Sequence, residues 1–195
     1  MHARRKDDSV LRELRCFELA RRLILHEVRT QTISKLTGLS RSRLAALRHR
    51  LMVSEEARHR GPPPRSIDVF LRTSRGRTEG AALAALIPLF KTPTSSKSAS
   101  SLDDGEQACE MYDAYLAYYP RSTVRFEELM LLKRSLAKGD GIELGLCRRC
   151  RGLIINNRLD RGRHTCSHCD YLREHERVSA VVNEEPSGFA DPRFL

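Results

Sequence analysis

The sequence has no apolar run long enough to cross a bilayer. Its longest apolar stretch, residues 80–90, contains a proline, whereas a membrane-spanning helix needs about 20 apolar residues. The first eight residues are mostly polar and charged, and no apolar segment follows them, which is unlike a secretory signal. We therefore expect a cytoplasmic protein with no membrane partner, in which thiols stay reduced.

Recognisable catalytic motifs are also missing. The chain contains no HExxH metalloprotease motif, no GxSxG nucleophile motif and no glycine-rich phosphate loop. Neighbouring carboxylates such as Glu127-Glu128 and Glu184-Glu185 fit solvated positions on a helix or in a tail. We therefore expect that the protein is not an enzyme and has no small-molecule substrate.

Carboxylates are too few to balance the cations. The chain has 35 Lys and Arg against 25 Asp and Glu, which gives a formal charge of +10 and a pI near 9.7. A small protein this basic usually binds something acidic, such as nucleic acid, an anionic membrane surface or an acidic partner. Arginine supplies most of the charge, and its planar fork binds phosphates and guanine edges in a way that lysine cannot.

Four cysteines near the C-terminal end form two C-x2-C knuckles. Cys147 and Cys150 form the first, Cys166 and Cys169 the second, and fifteen residues separate them. Two knuckles at this separation can surround one ion with four thiolates. Because protein ligands fill all four positions, we predict one structural Zn²⁺ per chain. Two disulfides or a redox pair are the alternative, and nothing in the sequence marks the oxidising compartment that disulfides need.

Apolar periodicity predicts a mainly α-helical N-terminal domain over residues 1–140. The helices are predicted over residues 10–28, 30–52 (two short helices), 77–90, 107–119 and 122–138. Residues 92–104 are rich in Ser, Thr and Lys without periodicity and predict a mobile loop. Cys16 and Cys109 lie inside helical apolar patterns, so we expect both in the core.

A different pattern follows the helical part. Short extended segments at residues 142–146, 153–156 and 163–165 lie beside the knuckles and predict a small zinc-ribbon-like module over residues 141–177. Such a module is too small to fold without its ion. Residues 178–195 contain two prolines and little apolar pattern, which predicts a loose tail.

Residues 30–52 resemble a helix-turn-helix segment. Gly38 supplies the left-handed position that ends the first helix, and Ser40 is placed to cap the second. Early residues of the second helix in this motif point at base edges, which makes Arg41 and Arg43 leading candidates for DNA contact. The predicted DNA-binding residues of this part are Arg29, Lys35, Arg41, Ser42, Arg43, Arg48 and Arg50.

The metal module carries a second set of cations. Asp160 is the one carboxylate that opposes them. Guanidinium groups near the knuckles favour the thiolate forms of the cysteines. They also provide a surface for an anion, so we include them among the predicted DNA contacts. They are Arg148, Arg149, Arg151, Arg158, Arg161 and Arg163.

The order of these features resembles one protein family. The chain has LSRSRL at residues 39–44, GPPP at 61–64, YxxYLxxYP at 112–120 and then the two knuckles. This order resembles FlhC, a subunit of the bacterial flagellar master transcriptional activator, and the resemblance covers residues 10–172. It implies a hetero-oligomer with an FlhD-like protein (four FlhD and two FlhC chains), binding to duplex promoter DNA, and recruitment of RNA polymerase. The zinc ligands of the family correspond to Cys147, Cys150, Cys166 and Cys169.

Two other functions fit parts of the sequence. An RNA-binding or ribosome-associated zinc-ribbon protein would also carry four cysteines and many arginines, but it has no need of a helix-turn-helix segment. A zinc-dependent enzyme that modifies nucleic acid would need an open position on the metal.

Overall fold

The computed structural model describes residues 2–53, 61–90, 100–139, 141–158 and 164–182. This part of the chain is mainly helical, as the sequence predicts. Its α-helices are α1 (His2–Leu25), α2 (Thr30–Thr37), α3 (Arg41–Arg50), α4 (Ser74–Leu86), α5 (Ser101–Tyr118), α6 (Phe126–Lys138) and α7 (Ser167–Val182), and its strands are β1 (Ile142–Leu146) and β2 (Leu153–Asn157). None of the helices described has the length and apolar character needed to span a membrane.

The two short helices predicted over residues 30–52 are present as α2 and α3. Gly38 closes α2 at φ 73°, and its N–H donates to Ser34 O at 2.8 Å. The Ser40 hydroxyl accepts the Arg43 N–H at 3.3 Å and caps α3. The turn residue and the capping residue therefore act as the sequence predicts.

Helix α5 starts earlier than predicted. The Ser100 hydroxyl accepts the Asp103 N–H, and the Asp103 carboxylate accepts the Ser100 N–H, which forms a capping box. Residues 101–104, predicted to be the end of the mobile loop, are instead the first turn of this helix. The rest of that predicted loop, apart from Ser100, lies outside the described residues.

Other helix ends also differ from prediction. Helix α1 starts at His2 and ends at Leu25, and α4 covers residues 74–86. Helix α6 starts after Arg125 rather than at Ser122. The Ser122 hydroxyl instead lies 2.9 Å from the Tyr115 hydroxyl and accepts the Val124 N–H at 3.0 Å, so it orders the turn that precedes the helix.

One apolar core lies between helices α1, α2, α4, α5 and α6. Its largest fully buried side chains include Tyr115, Phe70 and Phe126. Cys109 is buried in this core as predicted, whereas Cys16 is only partly buried. Burial of these aromatic side chains and of the more numerous aliphatic ones stabilises the core by about 25 cal/mol per Å² of apolar surface.

The two strands form an antiparallel hairpin that shares the core of the helices. Ile142 faces Asn157 across the pair, and Ile142 and Ile155 are both 2% exposed. Strand β2 packs on α4. At Gly80 of α4, a Cβ atom would lie 2.8 Å from Phe70 Cδ1 and 3.0 Å from Ile155 Cδ1. The absence of a side chain at this position therefore lets the hairpin approach the helix.

Helix α7 was not predicted. The second knuckle lies at its start, and its last residues, 178–182, were expected to belong to a loose tail. Residues 164–165 are not a strand, contrary to the extended segment predicted there. Residues 183–195 lie outside the described part of the chain.

Candidate metal centre and cationic surfaces

The fold brings the four cysteines of the two knuckles together. Their sulfur atoms all lie within 4.8 Å of one another, and the Cys150 and Cys166 sulfurs are 3.6 Å apart. Cys147 directly follows β1, and Cys169 lies in the first turn of α7. Cys147 and Cys169 are buried, while Cys150 is exposed. This cluster can hold one metal ion.

Backbone N–H groups surround the sulfurs. The Cys166 N–H donates to Cys147 Sγ at 3.3 Å, and the Gly152 N–H donates to Cys150 Sγ at 3.4 Å. The first knuckle is closed by the Arg151 N–H, which donates to Cys147 O at 2.9 Å. Donors placed in this way stabilise negative charge on sulfur, so the loop is arranged for thiolates.

The pKa values of Cys147, Cys166 and Cys169 are shifted in different directions. Backbone donors, first the N–H of Cys150, lower the pKa of Cys147 to about 6. Burial raises the pKa of Cys169 to about 12 and also raises the pKa of Cys166. A thiolate at Cys147 is therefore favourable, whereas thiolates at Cys166 and Cys169 need the charge of a bound cation. Four sulfur ligands with no oxygen ligand suit a soft or borderline metal such as Zn²⁺.

Apolar side chains contribute little to the interior of the knuckles. The buried cluster at this site consists of Cys147, Ile154 and Cys169, with Cys166 packed against it. Three of its four members are the candidate ligands themselves. Because one isoleucine buries little apolar surface, an ion held by the four cysteines would add much of the stabilisation of these two loops.

Two of the predicted DNA-binding arginines have little exposed side chain. Arg48 is 8% exposed and donates to Val28 O and to Thr30 Oγ1. The side chain of Arg29 is 10% exposed and forms an ion pair with Glu127, which is buried. Low exposure gives both predictions less support, although DNA contact itself is untested, and the prediction of a solvated Glu127 is wrong. These two arginines connect α2 to its neighbours.

The other predicted residues of the helix-turn-helix segment are exposed. They are Lys35, Arg41, Ser42, Arg43 and Arg50. Arg43 has partners: it donates to Glu13 at 2.8 Å and lies 5.2 Å from the ring centroid of Phe17. This pairing holds α3 against α1 and offsets the charge of Arg43. No described carboxylate forms an ion pair with Arg41 or Arg50.

The cations of the metal module lie on a separate part of the fold. Arg148, Arg149, Arg151 and Arg158 are exposed, and Arg161 and Arg163 lie outside the described residues. The hairpin beside these arginines packs on α4 and α6, whereas α3 packs on α1 and α2. The fold therefore provides two cationic surfaces on different elements.

A second group of polar side chains was not recognised in the sequence. The ligand atoms of His26, Cys109 and Asp113 also lie within 4.8 Å of one another. Asp113 already accepts from Arg22 at 2.5 Å and lies 2.5 Å from His26 Nε2. Burial raises the pKa of Cys109 to about 11, which keeps its thiol neutral. This group is therefore a polar network that connects the end of α1 to α5. Its one signal in the sequence is a four-residue spacing, which separates Arg22 from His26 and Cys109 from Asp113.

Comparisons with known proteins give no relative for this chain. No protein-family model matches it, and no curated protein matches it significantly. Function is therefore inferred from the cysteine cluster and the exposed cations.

Proposed function

We propose that the protein is a DNA-binding subunit of a transcriptional activator and contains one structural zinc ion. The observation that carries the proposal is the convergence of four sulfurs within 4.8 Å beside exposed arginines. Zn²⁺ is the commonest ion held by two C-x2-C knuckles, and four protein ligands leave no position for a substrate. Its role in this proposal is to order the loop that carries the arginines.

Duplex DNA is the proposed ligand because of helices α2 and α3. They meet at a three-residue turn, and the cap at Ser40 leaves Arg41 and Ser42 exposed at the start of α3. The start of the second helix is the part of a helix-turn-helix motif that reaches base edges. Arg50, Arg148 and Arg151 would supply phosphate contacts.

The more specific part of the proposal rests on the resemblance to FlhC. By that resemblance, the protein acts with an FlhD-like partner, binds promoters of flagellar operons and recruits RNA polymerase in the bacterial cytoplasm. The exposed apolar residues Val10, Leu11 and Leu14 of α1 are compatible with burial against another subunit.

A gel-shift titration across a salt series tests DNA binding. The full-length protein, with and without the FlhD-like protein, is titrated against a promoter duplex between 50 and 200 mM salt. Because phosphate contacts release counterions, the binding constant should fall by about a hundredfold or more. A binding constant that does not change with salt would exclude a role for the cationic surfaces.

RNA binding is the second candidate, since four exposed arginines lie on the metal module rather than on α3. Competition between the promoter duplex and a structured RNA of equal length separates the two ligands. An RNA-binding protein would be favoured by two results together. The structured RNA would displace the promoter duplex preferentially, and Arg41→Ala would have no effect on binding.

A further inference from the structure

A groove on the surface between α2 and α6 has no assigned role. It has a volume of about 650 Å³, within the usual range of about 300–1,000 Å³ for binding pockets. It is lined by residues of α2, α5 and α6 and by Pro63 and Pro64. We call it the α2–α6 groove. It is distinct from the metal centre and from the exposed face of α3.

The apolar floor of the α2–α6 groove comes from α6 and has helical spacing. It consists of Met130, Leu131 and Ala137, and the same helix adds Glu127, Lys133 and Arg134 to the lining. Residues at these intervals form one stripe that covers about 10 Å along the helix axis. Met130 and Leu131 remain partly exposed although they are large apolar side chains. The stripe therefore has the length of about two helical turns and is only partly covered by the described chain, since Met130 also packs against the core.

The rim of the groove is positively charged. Lys133 is paired with Asp104 at 3.2 Å, and the buried Glu127 is paired with Arg29, so these charges are offset within the protein. Lys35 on α2 and Arg134 on α6 are exposed, and neither forms an ion pair among the described residues. The groove thus combines an apolar floor with two cations that have no counterion.

We propose that the α2–α6 groove binds an acidic amphipathic helix of a partner protein. An apolar stripe of two turns fits a helix that presents anchors at i, i+3, i+4 and i+7. The flexible side chain of Met130 can adjust to such anchors. Charge complementarity with Lys35 and Arg134 selects acidic residues at the edges of that helix. A nucleic acid backbone would satisfy the cations but would leave the apolar floor against polar groups.

Fluorescence anisotropy with a labelled peptide tests this proposal on the full-length protein. The probe is a 14-residue peptide with leucine at i, i+3, i+4 and i+7 and with glutamate and alanine at the other positions. One matched peptide has lysine in place of glutamate, and another has glutamine in place of leucine. We expect the acidic peptide to bind at micromolar concentration and both matched peptides to bind at least tenfold more weakly.

Variants locate the site. The double change Lys35→Glu with Arg134→Glu should weaken binding of the acidic peptide at least tenfold, and Met130→Gln should weaken it at least threefold. The double change Arg12→Glu with Arg121→Glu has the same net charge but lies outside the groove, so affinity should stay within twofold. If the double variant is unstable, the single change Arg134→Gln replaces it in the test, because Arg134 is at an exposed position. Arg134→Gln should weaken binding of the acidic peptide about threefold.

Three results would overturn the proposal. One is equal binding of the lysine and glutamate peptides. Another is an equal loss of affinity in the groove variant and the control variant. The third is displacement of the peptide by duplex DNA together with loss of DNA binding in the groove variant, which would assign the groove to nucleic acid.

Discussion

Cys150 is the exposed member of the four cysteines, and its replacement tests the metal site with the least disturbance of packing. Cys150→Ala removes one ligand, so bound zinc should fall well below one ion per chain and the knuckles should lose their order. Metal analysis and proteolysis of the purified variant measure both effects. Cys16→Ala, outside the cluster, should keep its zinc. A folded Cys150→Ala protein with full zinc content would contradict a structural role.

Arg48 and Arg50 form a matched pair, one buried and one exposed. Arg48→Met removes the donors to Val28 O and Thr30 Oγ1, so the free energy of unfolding should fall by about 2 kcal/mol. Arg50→Met should change it by less than about 0.5 kcal/mol and should lower DNA affinity instead. Urea unfolding and gel shift measure the two quantities. Equal effects of both changes on stability would be inconsistent with the burial of Arg48.

Arg151 has a left-handed backbone at φ 62°, which costs a residue with a side chain about 1–2 kcal/mol. Arg151→Gly removes that cost, so stability should stay unchanged or rise by up to about 1 kcal/mol. Arg148 is not at a positive φ, and Arg148→Gly should destabilise the knuckle by about 0.5–1 kcal/mol. In the proposed DNA complex each of these arginines contacts one phosphate, so each change should reduce the salt slope of DNA binding by about 0.9. Thermal unfolding that shows the opposite order of stability would argue against this turn geometry.

At the scale of elements, the parts that sequence reasoning predicts are those with local signals. Gly38 and Ser40 act within a few residues of their position, and so do the two C-x2-C knuckles. Helix α7 was not predicted although its sequence is amphipathic. The knuckle at its start and the prolines beyond its end favoured an extended segment and a tail instead.

The contact between the hairpin and α4 is also testable. Gly80→Ala places a methyl group too close to the fully buried Phe70 and to Ile155. The free energy needed to move these side chains should exceed the free energy that alanine gains over glycine in helix propensity. We expect a net loss of about 1–2 kcal/mol in the free energy of unfolding. At Gly145 of β1 a Cβ atom has only ordinary contacts at 3.5 Å or more. Gly145→Ala should therefore be neutral within about 0.5 kcal/mol, and a neutral Gly80→Ala would show that the hairpin does not pack closely on α4.

At the scale of the whole molecule, the main limit of sequence reasoning is the distribution of charge. Arg29 and Glu127 are 98 residues apart, and no local pattern predicts that they pair in the interior. The sequence shows how many cations the chain has, but tertiary packing decides which of them remain exposed. Arg29 and Arg48, both predicted to contact DNA, are accordingly poorly exposed, and the exposed arginines lie on two separate parts of the fold.

The central claim is that a single ion held by four cysteines orders the cationic module. Metal analysis of the purified full-length protein, combined with X-ray absorption at the zinc edge, tests it most directly. We expect one zinc ion per chain with four sulfur neighbours at about 2.3 Å. A protein with no bound metal and with Cys147, Cys150, Cys166 and Cys169 oxidised to disulfides would contradict the account.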